Sequence, residues 1–374
     1  MYIQTKTRGY PIRQALPLVK TLLAAWQAWR REQVKPCYHL APRTYDSYGL
    51  PFYPVDMEPL LSMPFGYLDQ AGVLYNAPGV YTPGAYQPTT IAQYALAQWN
   101  AYLSTRDEEL KKSFMTQAQW LVNNGVPLTD DSSGWPIPLP SSSYNALKPW
   151  LSALTQGNCV SVLVRAYQLT DEEIFLQVAR RAIRSFELDI QNGGVSVFVG
   201  DDGIFFEEVA VSPAAHILNG YILALFGLYD YVALTGDPTI EALIQRSLAT
   251  LHTFIHEFDL GYWSCYDLLF KRPTTRFYHS LHVVLLKALA RSSHCEHCLA
   301  LATRWEGYQR SPICNLRYYI ASLVPGCCRV IQRKLQGTFS PSFQMRKSSV
   351  SHLEEQLEPN REATPVALHK NQEL

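Results

Sequence analysis

Three stretches of the sequence hold residue types able to do chemistry. Glu207-Glu208 close a β-type run, Ile204-Phe205-Phe206, and stand just before Ser212-Pro213 and a long apolar segment. Ser-Pro in that place reads as the cap and first residue of a helix, which puts Glu208 beside a helix N-terminus, where free N–H groups favour anions. There it can hold a polar ligand or exchange a proton. Neighbouring strand residues point to opposite faces, so one of the two glutamates at most faces a cleft. His216 falls on the fourth position of that helix and reads as a satisfied core histidine rather than a base. The second stretch runs from Gly261 through Tyr266-Asp267 to Tyr278, with Lys271, Arg272 and Arg276 between the tyrosines. Loops that a rigid scaffold holds at one rim are where chemistry usually sits. The third is His294-Cys295-Glu296-His297-Cys298. Cys and His at this spacing can bind zinc, but two further ligands would have to come from Cys314, Cys327 or Cys328 at unfamiliar spacings. It reads as reduced cysteines at a helix start, with no metal site. A phosphate loop, a dinucleotide fingerprint and a nucleophile elbow are absent, and no cofactor is implied.

The elements that must position these residues show in an internal period. Thr105, Thr170 and Thr235 are spaced equally, 65 residues apart. An apolar helix precedes each and an amphipathic one follows, with the Thr or the next Asp as N-cap. In the second unit Ile174, Val178, Ala182 and Phe186 form the expected buried stripe. Repeated helical hairpins with apolar first members predict an inner and an outer ring. The fold class is therefore mainly α, an (α/α) toroid, spanning residues 91–335. Two interruptions should lie at its cleft rim. One is a β-hairpin from Gly194 to Val209 around Gly200-Asp201-Asp202-Gly203. The other is the Gly261–Tyr278 stretch.

Residues 1–90, rich in Tyr, Pro and Gly, read as an irregular segment wrapping the cleft. Residues 336–374 are polar and lack apolar periodicity, and read as a disordered tail. Of the 374 residues 47% are hydrophobic and 17% charged, which excludes a wholly disordered chain. Lys+Arg and Asp+Glu are both 32, so no global basic field exists to hold nucleic acid. The eight cysteines do not form a recognisable disulfide framework. The apolar stretch Ala15–Trp29 reads as a surface or core helix, interrupted by Lys20 and Gln27, and not as a secretory signal. The run Val211–Leu234 contains His216, Asn219 and Asp230 and fits a buried helix better than a membrane span. The expected location is cytoplasmic; a homodimer remains open.

Several blocks resemble the D-glucuronyl C5-epimerase family, in order over roughly residues 80–310. They include Ile91-Ala92-Gln93-Tyr94, Gly134-Trp135-Pro136-Ile137, Leu151-Ser152-Ala153-Leu154-Thr155-Gln156-Gly157 and Ser161 to Tyr167. Glu207-Glu208, Leu218-Asn219-Gly220, Gly227 to Asp230, Tyr266-Asp267-Leu268 and Tyr278-His279-Ser280-Leu281-His282 complete them. The resemblance implies a toroid that epimerises C5 of a uronate in a glucuronate-containing polysaccharide or lipid-linked glycan. It implies catalytic roles for Tyr266 and Tyr278, expected as the acid/base pair across C5, and Glu208, from its place beside the helix N-terminus, is the third catalytic candidate. Asn219, Arg272, Arg276, His279, Tyr86, Gln93 and Gln156 become the candidate substrate-binding residues. Where the family has a third tyrosine, directly after the paired glutamates, this chain has Val209. Where it has a basic residue after the first tyrosine, this chain has Leu269.

C5 of a uronate lies α to a carboxylate, so its proton is very weakly acidic. Abstracting it creates an enolate-like dianion that needs cationic or hydrogen-bonding neighbours. Epimerisation also needs a base on one ring face and an acid on the other. Tyrosine serves as a base only as phenolate, about 3 pH units above neutrality unless cations lower its pKa. Lys271, Arg272 or Arg276 are expected to do so. Two other readings stay open: a lyase, which begins with the same abstraction, and a toroid that binds glycan without catalysis.

Overall fold

The computed structural model describes residues 38–323, apart from 48, 63–65, 79–83 and 148. The Ala15–Trp29 helix and the carboxy-terminal tail lie outside the described residues. Four helical hairpins dominate: α1 (Pro88–Thr105) with α2 (Glu108–Asn124), α3 (Ala153–Thr170) with α4 (Glu173–Ile183), α5 (Leu218–Thr235) with α6 (Pro238–Phe254), and α7 (Arg276–Ser293) with α8 (Glu296–Arg310). A further helix, α9 (Pro312–Leu323), follows. Within each hairpin the partners pack together, and the first members pack in sequence, α1 on α3, α3 on α5 and α5 on α7. These first members form the inner layer of an (α/α) toroid. In α3 every residue from Ala153 to Ala166 is buried.

The repeated threonine ends the inner helix rather than capping the outer one. The Oγ1 atoms of Thr105, Thr170 and Thr235 donate to the carbonyls of Ala101, Ala166 and Tyr231. Each then accepts the N–H of the residue two places on. The residue between adopts a left-handed conformation, at Arg106, Asp171 and Gly236. Asp107 and Asp237 are the true side-chain caps of α2 and α6. The fourth hairpin repeats this turn with other residues: Ser293 bonds back to Leu289, His294 is left-handed and Cys295 caps α8. In α4 the buried face is Phe175, Leu176, Ala179, Ala182 and Ile183, while Ile174 is exposed. Of the expected stripe Ala182 and Phe186 are buried, Phe186 from the following 3-10 turn, while Ile174 and Val178 lie at or beyond the edge of the buried face.

The helices α3 and α5 meet backbone to backbone. A Cβ on Gly227 would lie 2.3 Å from the Gly157 carbonyl oxygen, so only glycine permits this approach. One end of the same pair is locked by Arg165, which is fully buried and ion-paired with Asp230 of α5 at 2.5 Å. Its guanidinium also reaches the Ser161 and Phe52 carbonyls and lies over the Tyr53 ring.

Short antiparallel pairs decorate the helices: β1 (His39–Leu40) with β2 (Val55–Asp56), β3 (Gly66–Leu68) with β4 (Leu74–Asn76), β5 (Val126–Pro127) with β6 (Ser133–Gly134), and β7 (Ser196–Val199) with β8 (Gly203–Phe206). The expected hairpin is β7–β8, in register Ser196↔Phe206 to Val199↔Gly203. The strands β1 and β2 pack on α7, and the 3-10 turn Glu58–Ser62 packs on α1, so this segment links the last inner helix to the first. By length and composition α5 is apolar enough to cross a membrane, yet 67% of it is buried among its neighbours.

Candidate active site

The N-terminal ends of α5 and α7 face a common cluster of polar side chains. The chain leaves β8 as Glu207-Glu208, and the two carboxylates take opposite directions, as strand alternation requires. Glu207 is fully buried and accepts from Ala215 N (3.2 Å), His216 N (3.0 Å) and His216 Nδ1 (2.5 Å). It thereby ties down the loop before α5. Ser212-Pro213 lies inside this loop and does not start the helix; the N-cap is Ile217, and His216 precedes α5 with φ 52°. His216 is satisfied by Glu207, as a structural histidine is, but it is not on the helix.

Glu208 accepts from Asn219 Nδ2 at 2.8 Å, from Tyr266 OH at 3.2 Å and from the Gly220 N–H. A Cβ on Gly220 would sit 2.3 Å from Glu208 Oε2, so glycine lets the carboxylate reach the helix end. Asn219 Oδ1 is buried and has no partner among the described residues. Tyr266 lies on an extended stretch held against the loop by Leu218 N to Tyr266 O and by the Ile217↔Asp267 bridge. Tyr278 is the third residue of α7 and gives its N–H to the N-cap, Thr275. The Tyr266 and Tyr278 rings meet edge to face at 4.7 Å.

Burial sets the electrostatics of this cluster. It raises the Glu208 pKa to about 7, against the three hydrogen bonds that favour the carboxylate. Burial, and then the Glu208 charge, push both Tyr266 and Tyr278 above the ordinary tyrosine value. The expected lowering by Lys271, Arg272 or Arg276 is thus overturned. Lys271 is ion-paired with Glu257, and Arg276 donates to Asn315 and Tyr319 of α9. Arg272 is exposed, lies over the Phe270 ring at 5.3 Å, and has no ion pair among the described residues.

The sequence reading missed Tyr144. It lies on a short 3-10 turn, Ser142–Tyr144, and donates to Asp267 Oδ2 at 2.9 Å. Burial, Asp267, Glu208 and Tyr278 all raise its pKa, so it too stays protonated. Its ring packs on the small cluster of Ala146, Val209, Ala215 and Ile217, which Tyr266 also joins. Val209 is therefore a packing residue beneath two tyrosines. Leu269 is exposed.

Five of the expected substrate contacts have other partners. His279 is fully buried, accepts from Ser264 N, meets the Trp305 carbonyl with its other nitrogen, and stacks on Trp263 at 3.9 Å. Burial lowers its pKa to about 4, and it is a core residue. Gln156 is fully buried and clamps Ser133, Trp135 and Ser185, which uses its amide in holding α3 to the β6 strand. Tyr86 donates to Asp69 and packs on Tyr75 and Trp120, outside the Glu208 cluster. Arg276 is directed to α9. Gln93 accepts from Tyr38 at 3.3 Å. The assembled set is Glu208, Asn219, Tyr266, Tyr278 and Tyr144, with Arg272 at the edge.

Residues 129–307 match the family model described as the D-glucuronyl C5-epimerase C-terminus. These residues are similar to that family's C-terminal part. A D-glucuronyl C5-epimerase of Caenorhabditis elegans is 33% identical over 229 residues, covering 55% of this chain and 36% of the relative. A Methanocaldococcus jannaschii protein is 30% identical over 165 residues, covering 43% of this chain and 53% of its own length. The chain therefore spans about a third to a half of these relatives. Among solved structures, an unsaturated glucuronyl hydrolase from Bacillus sp. GL1 aligns with TM-score 0.42 and 12% identity, over 59% of this chain and 61% of that one. The family match covers the Glu208, Tyr266, Tyr278 and Tyr144 cluster whole.

Proposed function

We propose that the chain is a uronate C5-epimerase of the glucuronate-to-iduronate type, acting on a glucuronate-containing polysaccharide or glycan. The observation that carries this reading is Glu208: a half-buried carboxyl hydrogen-bonded to one of two protonated tyrosines, with its pKa raised to about 7. In its charged form Glu208 takes the C5 proton, and the enolate-like product forms. Tyr278 delivers a proton to the opposite face of C5. The site resets through solvent, Glu208 giving its proton to water and the Tyr278 phenolate taking one back, while Tyr266 holds Glu208 in place through its hydroxyl. Asn219 orients Glu208 through its Nδ2, and Arg272 meets the uronate carboxylate. An open groove of about 420 Å³ beside the Tyr144 turn, lined by Asn145, Leu147, Trp150 and Gly194, receives neighbouring sugars.

Incubation with glucuronate-containing glycans in deuterated water tests this reading. An epimerase places deuterium at C5 and leaves chain length unchanged. A lyase shortens the chain and creates an ultraviolet-absorbing unsaturated uronate, and binding without exchange marks a non-catalytic toroid. Tyr266→Phe and Tyr278→Phe remove a hydroxyl and little packing, so each should cut exchange by about 10²-fold or more with the fold intact. Tyr102→Phe is the control: Tyr102 packs at the turn end of α1, beneath Arg106, and its loss should leave exchange unchanged. Normal exchange in both site variants would remove the two tyrosines from the mechanism.

Tyr144→Phe should have a smaller effect. It removes the donor to Asp267 and one hydroxyl beside Glu208, a charge-assisted bond on the order of 1.5–3 kcal/mol. A fall in turnover of about 10-fold is expected, with unchanged circular dichroism. Turnover equal to wild type would make Tyr144 a packing residue only.

A further inference from the structure

Three ligand-bearing side chains converge far from Glu208, on the outer layer. Cys295 and Cys298 open α8, and His252 projects from the last turn of α6. His252 Nε2 lies 3.1 Å from Cys295 Sγ, and the three donor atoms all fall within 4.8 Å of one another. Cys298 N–H points at Cys295 Sγ at 3.0 Å, the contact that stabilises a sulfur carrying negative charge. The two cysteines are joined as a disulfide in this structure, while Cys159, Cys265 and Cys314 are free thiols. This pairing corrects the expectation that the cluster holds reduced cysteines.

A disulfide needs only its two sulfurs. It gives no reason for an imidazole, 43 residues away in sequence, to turn its nitrogen onto one of them. Zinc gives such a reason: it takes two thiolates and an imidazole at about 2.3 and 2.0 Å, distances that fit ligands gathered this closely. His297, exposed and with its ring 6.2 Å from that of His252, stands at the same edge.

We propose that His252, Cys295 and Cys298 form a zinc-class metal site when the disulfide is reduced, stapling outer helix α6 to outer helix α8. The fourth position belongs to His297 or water. The chemistry balances with a thiol reductant. Two RSH become RSSR, the Cys295–Cys298 bond breaks, and each sulfur gains a proton. Zn²⁺ then displaces both thiol protons, forming two Zn–S bonds and one Zn–N bond. The sequence pointed to the Cys-x-x-Cys pair, but the third ligand comes from another hairpin and none of Cys314, Cys327 or Cys328 is needed. The site links two hairpins that share no hydrogen-bonded strand, so bound metal should raise the thermal midpoint.

The test uses the full chain, reduced, freed of metal with a chelator, and titrated with zinc against a chromophoric competitor. One zinc per chain is expected, with cobalt giving thiolate-to-metal charge-transfer absorption. Cys298→Ser should abolish the charge-transfer band, and His252→Ala should weaken zinc at least about 10-fold with native circular dichroism. The oxidised chain should bind no zinc. Absence of stoichiometric uptake by the reduced chain, or equal affinity in His252→Ala and wild type, overturns the proposal. Deuterium exchange at C5 is read separately, so failure of the metal site leaves the epimerase reading standing, and the reverse.

Discussion

Replacing Glu208 with glutamine should cut deuterium incorporation at C5 by about 10²- to 10⁴-fold, the range set by loss of a general base. Glutamine keeps the size of the side chain and an acceptor for Tyr266 OH, so the loss measures proton transfer rather than packing. In the wild type, activity should rise with pH through about 7, as Glu208 becomes charged. Stability should move the other way. The folded chain holds the Glu208 proton to a higher pH than the unfolded chain, whose glutamate has the ordinary value of 4.5. The contribution of this group to stability is therefore complete below that value and is lost as pH rises through about 7. Glu208→Gln lacks this term, so its thermal midpoint should fall less than that of wild type between pH 5 and pH 8. A variant with normal exchange, or a pH profile flat across neutrality, would remove Glu208 from the mechanism.

Arg165→Ala should cost about 3–5 kcal/mol of stability, because it leaves Asp230 without its buried partner. The guanidinium that it removes joins α3, α5 and the amino-terminal segment through Asp230, Ser161 and Phe52. Asp230→Ala should cost a similar amount, since a buried cation is then unpaired. The double change Arg165→Met with Asp230→Leu should recover most of the loss, because burying two charges is itself expensive. Urea unfolding at pH 7 provides all three values. A double variant as unstable as the sum of the singles would show that the pair holds the helices by more than its charge. The lock sits towards the C-terminal ends of α3 and α5, while Glu208 binds the N-terminal end of α5. Holding one end of these helices rigid fixes the other.

Local signals carried a good part of this architecture. The 65-residue spacing of Thr105, Thr170 and Thr235 marks inner-helix ends because a hydroxyl there satisfies both the last carbonyl and the next turn. The β7–β8 hairpin was legible for the same reason: turn chemistry is encoded within a few residues. Where nearby residues carried no such rule, the reading failed. Ser212-Pro213 mimics a helix start, but the Glu207 carboxylate holds Ala215 and His216 in a loop instead. His279 and Gln156 have the polar chemistry of ligands, and their burial became visible only when Trp263, Trp305 and Trp135 closed around them.

The sequence by itself determined the helical hairpins and the β7–β8 hairpin, since each rests on periodicity or on turn residues, and motif order singled out Glu208, Tyr266 and Tyr278. The tertiary structure decided which groups meet and which proton each keeps. Tyr144 joins Asp267 across 123 residues, and His252 joins Cys295 across 43, contacts that no local pattern records. The protonation states followed from the same packing. Burial raises Glu208 towards neutrality and keeps the tyrosines protonated, because desolvation depends on every residue around a group and not on its neighbours in the chain.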